Sequence, residues 1–99
     1  MSRYFLSPLA ESDLNNIHDY IAADNPDAAL RISTHLQEAC QQLARMPEMG
    51  RARDELALGL RSFTVGRYIV FYRIAKRDIQ VMRILHGAQD IDAILGSDP

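Results

Sequence analysis

The hydrophobic period of this chain changes near Gly59, and this change limits the fold more than any other feature of the sequence. Before it, apolar residues such as Leu14, Ile17 and Ile21 recur every three or four positions, which is the spacing of one helix face. After it, β-branched and aromatic residues gather in short runs, which is typical of strands. The sequence therefore predicts an α+β fold, with helices before an antiparallel sheet, in a single domain over residues 1–99.

Two helix start signals divide the first half of the chain. Ser7-Pro8 and Asn25-Pro26 each place a capping side chain before a proline at the first helical position. We therefore expect helices over Pro8–Ala23 and Pro26–Met46, joined as an antiparallel hairpin and preceded by a short strand at residues 4–6. Six helix residues should be buried against the sheet: Leu14, Ile17, Ile21, Ile32, Leu36 and Leu43.

The second half begins with a charged, irregular connector over Met49–Gly59 and continues with three strands. The strands are predicted at Leu60–Val65, Tyr68–Ala75 and Ile79–Leu85, and their short turns should make them an antiparallel meander. A chain of 99 residues has room for one modest core, so one sheet face should carry the helices and the other should stay partly open. A short helical turn is expected at residues 90–95, before Gly96.

Side chains of the middle strand should alternate between the two faces of the sheet. Tyr68, Val70, Tyr72 and Ile74 are expected on one face, and Ile69, Phe71, Arg73 and Ala75 on the other.

Charge is distributed unevenly along a chain whose formal net charge is −2. Between Arg45 and Leu85, nine basic residues against four acidic ones give a local charge of +5, whereas the segment before Arg45 has two against six, or −4. This polarity predicts an anionic partner for the sheet half. The overall acidity argues against indiscriminate nucleic-acid binding, and we expect no direct specific DNA binding by this chain alone.

Arginine side chains are the candidates for the partner surface, because a guanidinium offers a planar donor fork that matches carboxylate and phosphate. The alternative is that they are ordinary solvated residues of an exposed sheet face. Arg61 and Arg83 lie in strands that flank Arg73, so the three are expected to share one face, and this combination favours a partner surface. The full predicted binding set is Arg51, Arg53, Arg61, Arg67, Arg73, Arg83 and His86.

Few residues could support chemistry. His86 could act as a general acid or base in phosphodiester cleavage, with neighbouring arginines stabilising the developing charge. The alternative is a histidine that bonds its own turn, and no obvious second proton-transfer group accompanies it. We therefore predict no catalytic residue, with His86 as the one exception if the chain is a nuclease. The histidines and Cys40 lack metal-ligand spacing, so no metal and no cofactor are expected, and Cys40 should be buried in its helix stripe.

Targeting and membrane segments are not recognisable in the sequence. No apolar run approaches the ~20 residues of a membrane span, and the apolar stretch near the N-terminus is too short for a signal peptide. A single cysteine allows no intrachain disulfide, which fits a reducing compartment. We expect a cytoplasmic protein.

Short motifs in order along nearly the whole chain resemble the ParE toxins of bacterial type II toxin–antitoxin modules, within the wider RelE/ParE superfamily. The resemblance implies a strand, a helix hairpin and an antiparallel sheet, in agreement with the residue patterns. It also implies a ParD-like antitoxin whose C-terminal segment wraps the toxin, and DNA gyrase as the target. The motifs are Leu6-Ser7-Pro8-Leu9-Ala10, Pro47-Glu48-Met49-Gly50-Arg51, Gly59-Leu60-Arg61-Ser62-Phe63, Gly66-Arg67-Tyr68 with the strand that follows, and Arg83-Ile84-Leu85-His86-Gly87.

The RelE branch of the same superfamily implies an alternative function, ribosome-dependent cleavage of mRNA by basic residues and an acid–base side chain near the last strand. Here Gly87 follows His86, where several of those nucleases have an aromatic residue, and the connector offers Arg51 and Arg53 but no lysine. These departures favour a gyrase-binding toxin without chemistry of its own. A third alternative is a module member that binds only its antitoxin, since many such toxins are basic and this chain is slightly acidic.

Overall fold

A computed structural model describes residues 2–95 as a mixed sheet with two helices packed on one face. The predicted α+β class, N-terminal strand, helix hairpin and antiparallel meander are confirmed. Gly96, before which the C-terminal turn was expected to end, lies outside the described residues. The elements in chain order are β1 (Tyr4–Leu6), α1 (Pro8–Ala22), α2 (Pro26–Arg45), a 3-10 turn (Pro47–Met49), β2 (Arg51–Ala52), β3 (Arg61–Val65), β4 (Tyr68–Ala75), β5 (Asp78–His86) and α3 (Ile91–Leu95).

The sheet has five strands in the order β1-β5-β4-β3-β2. Strands β3, β4 and β5 are antiparallel neighbours, whereas β1 pairs with β5 in parallel, with Tyr4 opposite Ile79. Strand β2 pairs with β3 through Arg51 and Ala52 and lies in the segment that was predicted to be an irregular connector. Two residues carry too little alternation to be recognised as a strand in the sequence.

Both helices begin where the sequence signals predict. Ser7 Oγ accepts a hydrogen bond from the Ala10 amide at 3.0 Å, and Asn25 Oδ1 accepts one from the Ala28 amide at 3.1 Å. Each helix ends one residue earlier than predicted, and for α2 the cause is Pro47, since a residue before proline is disfavoured in the helical region. No helix among residues 2–95 is long and apolar enough to cross a membrane.

The main core lies between the helix pair and the sheet, on what we call the helix face. Leu36 and Leu43 are buried there as predicted, and Cys40 is buried beside them. The other four predicted core residues are half-buried: Leu14, Ile17, Ile21 and Ile32. Burial raises the pKa of the Cys40 thiol to about 11.

A second apolar cluster covers the opposite side of the sheet, which we call the far face, and corrects the expectation of one core and a partly open face. Leu60, Phe71 and Leu85 are buried there, beneath the connector residues Leu56 and Ala57 and the side chains of α3. A short chain can hold both clusters because each is one layer of side chains on a shared sheet. The predicted alternation along β4 holds, since Tyr68, Val70 and Tyr72 belong to the helix-face core, whereas Ile69 and Phe71 belong to the far face.

Candidate partner-binding site

The seven predicted binding residues lie in three separate places. Directly paired residues of neighbouring strands share a face of the sheet, so the strand register assigns each arginine to a face. Four of the residues belong to the far face, one to the helix face, and two to a groove at the end of the sheet. These groups are Arg51, Arg53, Arg73 and Arg83; then Arg61; and then Arg67 and His86.

The expectation that Arg61, Arg73 and Arg83 share one face is wrong for Arg61. Arg61 lies opposite Tyr72, whose ring belongs to the helix-face core. Arg83 lies opposite Phe71 of the far face. Arg73 follows Tyr72 in an extended strand and therefore points to the far face with Arg83. Of the three arginines predicted to share a face, only Arg73 and Arg83 do so.

Arg83 is held in an internal ion pair with Asp13 of α1. Its Nε and Nη2 atoms donate to the two carboxylate oxygens at 2.7 and 3.0 Å. The same carboxylate accepts the backbone N–H of Ile84 at 3.0 Å. Strand β1 ends at Leu6 and does not reach Ile84. The Asp13 carboxylate therefore accepts the β5 amide that a longer β1 would have bound. The hydrogen bonds to Asp13 raise the pKa of Arg83, and the guanidinium has a structural role.

Two far-face arginines remain available to a partner. Arg53 is engaged, because its Nε donates to Glu55 at 2.6 Å and its Nη1 to the Ser62 hydroxyl at 3.3 Å. This contact lowers the pKa of the Glu55 carboxyl. Arg51 and Arg73 are exposed and have no carboxylate within 4.0 Å in the part of the chain described. Their guanidinium groups are the ones an anionic partner could meet without breaking an internal contact.

Arg61 is bound to the backbone of the turn that precedes β2. Its Nη2 donates to the carbonyls of Glu48 and Gly50 at 3.0 and 2.6 Å. Tyr72 holds the same turn, since its hydroxyl donates to the Pro47 carbonyl at 2.6 Å and accepts the Gly50 amide at 2.9 Å. A Cβ atom at Gly50 would overlap this hydroxyl, which explains the glycine.

Sequence reasoning missed the Tyr72–Gly50 contact. Gly50 belongs to one of the family-like motifs, but no local signal links it to a tyrosine 22 residues away. The contact positions the turn before β2, and with it Arg51 and Arg61.

A groove opens between the helix pair and the end of the sheet formed by the β3–β4 turn. It has a volume of about 580 Å³, and we call it the helix–sheet groove. Half-buried apolar side chains form much of its surface, and cationic or histidine side chains lie among them. Its lining residues are Tyr20, Ile21, Ile32, His35, Leu36, Val65, Gly66, Arg67, Tyr68 and His86.

His86 is bonded to its own turn, which was the structural alternative considered for it. Its Nδ1 accepts the Ala88 amide at 3.0 Å, and its ring meets Tyr68 edge-on with centroids 5.3 Å apart. The proton of the neutral ring therefore resides on Nε2. His86 is thus arranged as a hydrogen-bond donor at Nε2. No group of three or more potential metal ligands was found within residues 2–95.

Comparison with known proteins identifies the family. The sequence model for the "ParE toxin of type II toxin-antitoxin system, parDE" matches residues 4–91. The chain belongs to the ParE toxin family. Toxin ParE1 of Mycobacterium tuberculosis is 38% identical over 96 residues, which cover 92% of this chain and 95% of that protein. Toxin RelE2 of Caulobacter vibrioides is 35% identical over 80 residues, which cover 81% and 89%.

A solved structure supports the same assignment for the fold. The "Chromosomal ParDE TA system from P. aeruginosa" matches with a TM-score of 0.73 and 25% identity, covering 87% of this chain and 95% of that one. The family suggested by the sequence motifs is therefore confirmed, and all seven predicted binding residues lie within the matched range of this ParE-family toxin.

The exposed arginines of this ParE-family toxin are chemically able to bind anions. Arg51, Arg67 and Arg73 are exposed guanidinium groups, whereas Arg61 and Arg83 are held by internal acceptors. Apolar surface lies beside the exposed cations in the helix–sheet groove and in a far-face depression of about 500 Å³ that Arg73 also lines. Such combinations suit a polypeptide that carries carboxylates and apolar side chains together.

Proposed function

We propose that this ParE-family toxin inhibits DNA gyrase by binding it, performs no bond-making chemistry of its own, and is neutralised by a ParD-like antitoxin. The observation that carries the proposal is the state of His86. Its Nδ1 accepts the Ala88 amide at 3.0 Å, so this ring nitrogen is engaged by its own turn. General acid–base catalysis needs a group that can gain and lose a proton in place.

The arginines also support a binding function. A nuclease would need guanidinium groups free to meet the charge that develops on a phosphate. Of the three strand arginines considered for this role, Arg83 is paired with Asp13 and Arg61 donates to backbone carbonyls, so only Arg73 is free. The resemblance to ParE toxins supports gyrase as the partner that is inhibited, and we propose a cytoplasmic location.

The antitoxin proposal is supported by the exposed far-face cations. Arg51 and Arg73 lie on the same face as a largely apolar depression whose lining includes Leu60, Met82 and Leu95. An acidic amphipathic segment could bury apolar side chains in the depression and pair its carboxylates with the two arginines. The structural relative from P. aeruginosa is described as a ParDE system, which is consistent with a partner of this class.

Ribosome-dependent cleavage of mRNA is the second candidate function. It is favoured by the similarity to Toxin RelE2, and it would use His86 as its acid or base. Two assays of the purified toxin separate the candidates: supercoiling by gyrase, and mRNA cleavage on programmed ribosomes.

Variants of two histidines sharpen this comparison. His86→Gln is the test, and His18→Gln, at a half-exposed position of α1, is the matched control. The proposal predicts inhibited supercoiling, intact mRNA, and at most a graded loss of inhibition in His86→Gln. Normal supercoiling at saturating toxin, with mRNA cleavage reduced about 10²–10⁴-fold by His86→Gln alone, would establish the nuclease instead.

A further inference from the structure

We propose that a depression between β1 and the C-terminal end of α2 binds a backbone phosphate of the DNA that gyrase holds when the toxin is bound to it. The inference rests on the proposed gyrase target and adds a contact with the DNA itself. The depression has a volume of about 630 Å³, and we call it the β1–α2 depression. Its lining residues are Ser2, Arg3, Tyr4, Gln41, Ala44 and Arg45.

The residue types of the lining match a phosphate group. Arginine, serine, tyrosine and glutamine side chains are common donors to the phosphate oxygens of DNA. Every lining residue except Ala44 belongs to these types, and Ala44 is buried. An apolar peptide segment would need exposed apolar side chains to dock on, and only the half-buried ring of Tyr4 could supply them. The lining therefore favours a phosphate over a carboxylate carried by an amphipathic peptide.

The two arginines of the depression are exceptions in an acidic part of the chain. Residues 1–46 contain three arginines and no lysine, against six acidic residues, and two of the three arginines line this depression. None of the six acidic residues lines it. Arg3 and Arg45 are exposed and have no carboxylate within 4.0 Å among residues 2–95. Their guanidinium groups can therefore meet an anion without breaking an internal ion pair.

The backbone fixes both sides of the depression. The N–H of Arg3 donates to the Asp78 carboxylate at 2.9 Å, and its carbonyl accepts the N–H of Ile79 at 3.0 Å. Asp78 thus meets the backbone of Arg3 rather than its guanidinium. Arg45 is the last residue of α2, where the helix end carries about half a negative charge. The full positive charge of Arg45 outweighs this half charge, so the depression stays cationic.

The net charge of the chain explains why the contact requires gyrase. A toxin with a net charge of −2 is repelled by free DNA, and a single phosphate contact releases few counterions. A toxin bound to gyrase would instead meet the DNA at a high effective concentration. Phosphate contacts carry no sequence information, which agrees with the expectation that this chain alone binds no specific DNA sequence.

The test compares binding of the toxin to gyrase alone and to gyrase loaded with a linear DNA duplex. Arg45→Gln should weaken binding to the DNA-loaded enzyme about 10-fold, as expected for a charge-assisted hydrogen bond, and Arg3→Gln should act in the same direction. Both variants should bind DNA-free gyrase within about twofold of the parent. The slope of log K against log salt concentration for the DNA-loaded enzyme should fall by about 1 in Arg45→Gln.

Arg31→Gln is the matched control. Arg31 is an exposed arginine of the same helix and lies about 21 Å from Arg45 along the helix axis. The control removes the same charge at a position outside the depression. Its affinity should therefore stay within about twofold of the parent for both forms of gyrase.

The possible outcomes separate this inference from the proposed function. Equal losses with and without DNA would assign the arginines to an acidic residue of gyrase and overturn the phosphate site. Unchanged binding of both variants to DNA-loaded gyrase would also overturn the site and leave the gyrase target in place.

A toxin that binds no gyrase would overturn the proposed target, and a short DNA duplex at low salt would then decide the phosphate site. In NMR spectra of the parent, the Nε–H signals of Arg3 and Arg45 should shift on adding the duplex, and more than that of Arg31. The absence of such shifts would overturn the site.

Discussion

Asp13 and Arg83, which are 70 positions apart in the sequence, join the first helix to the last strand through a two-point ion pair. Their side chains are only 12% and 22% exposed. The carboxylate also accepts the Ile84 amide, so one acidic side chain satisfies three donor atoms. The pair explains why an arginine of the basic segment is absent from the surface available to partners.

Removing the carboxylate should therefore destabilise the fold. We expect Asp13→Ala to lower the free energy of unfolding by about 2–4 kcal/mol, because it leaves a partly buried guanidinium and a backbone amide unpaired. Urea denaturation measures the change. Asp24→Ala, at an exposed position after α1, is the control and should change stability by less than about 0.5 kcal/mol. Equal stability of the two variants would show that the ion pair contributes nothing.

The Tyr72 hydroxyl should stabilise the turn before β2. Tyr72→Phe keeps the buried ring but leaves the Gly50 amide and the Pro47 carbonyl without their partner, at a cost of about 1–3 kcal/mol. Tyr20→Phe is the matched control, since Tyr20 is 83% exposed. Thermal unfolding of both variants checks the prediction, and a loss of stability in neither would contradict it.

Leu36 should be a main contributor to the helix-face core. Leu36→Ala removes a side chain that is 1% exposed, and we expect a loss of about 2–5 kcal/mol in the free energy of unfolding. Leu30→Ala makes the same chemical change in the same helix at a position that is 64% exposed. A difference between the two variants of less than about 1 kcal/mol would place Leu36 outside the core.

Burial of Cys40 should make stability decline at alkaline pH. Its pKa is raised to about 11 in the folded chain, above the value near 8.5 of an unfolded thiol. The folded state therefore holds the thiol proton more tightly than the unfolded state does. The resulting contribution to stability is complete below about pH 8.5 and is lost as the pH rises towards 11. The loss amounts to up to about 2–3 kcal/mol in the free energy of unfolding.

Denaturation at pH 8 and pH 10.5 measures this loss. Cys40→Ala should show a smaller decline than the parent. The pKa of Tyr4 is also raised, chiefly by burial, but the effect is present in both chains and largely cancels. Identical declines in the two proteins would mean that the thiol does not cause the loss of stability at alkaline pH.

Local sequence signals predicted where the helices begin. The sheet face on which each arginine lies depends instead on the pairing register of the strands. Ser7-Pro8 and Asn25-Pro26 act through neighbouring residues, so the helix starts could be found from sequence. The face of Arg61 is set by the two-residue turn, which places Arg61 opposite Tyr72.

The face of Arg83 could not be obtained by counting along the strands. Tyr72 pairs with Val81 and Phe71 with Arg83, so Met82 is an extra residue that moves Arg83 to the other face. A bulge of this kind leaves no clear trace in sequence. The ion pair between Arg83 and Asp13 could not be predicted from sequence either, because the two residues come into contact only when α1 packs along β5.

The stretches of β5 and β3 that extend beyond the short outer strands β1 and β2 are protected to different degrees. At the β5 edge, Asp13 occupies the Ile84 amide and places a negative charge where another strand would have to approach. On the other side of the sheet, β2 pairs only with Arg61 and Ser62 and leaves Thr64 uncovered. Uncovered edges are where chains stack on one another to form aggregates. Any self-association of the free toxin at high concentration should therefore begin at β3, and a partner chain bound there would also act as its chaperone against aggregation.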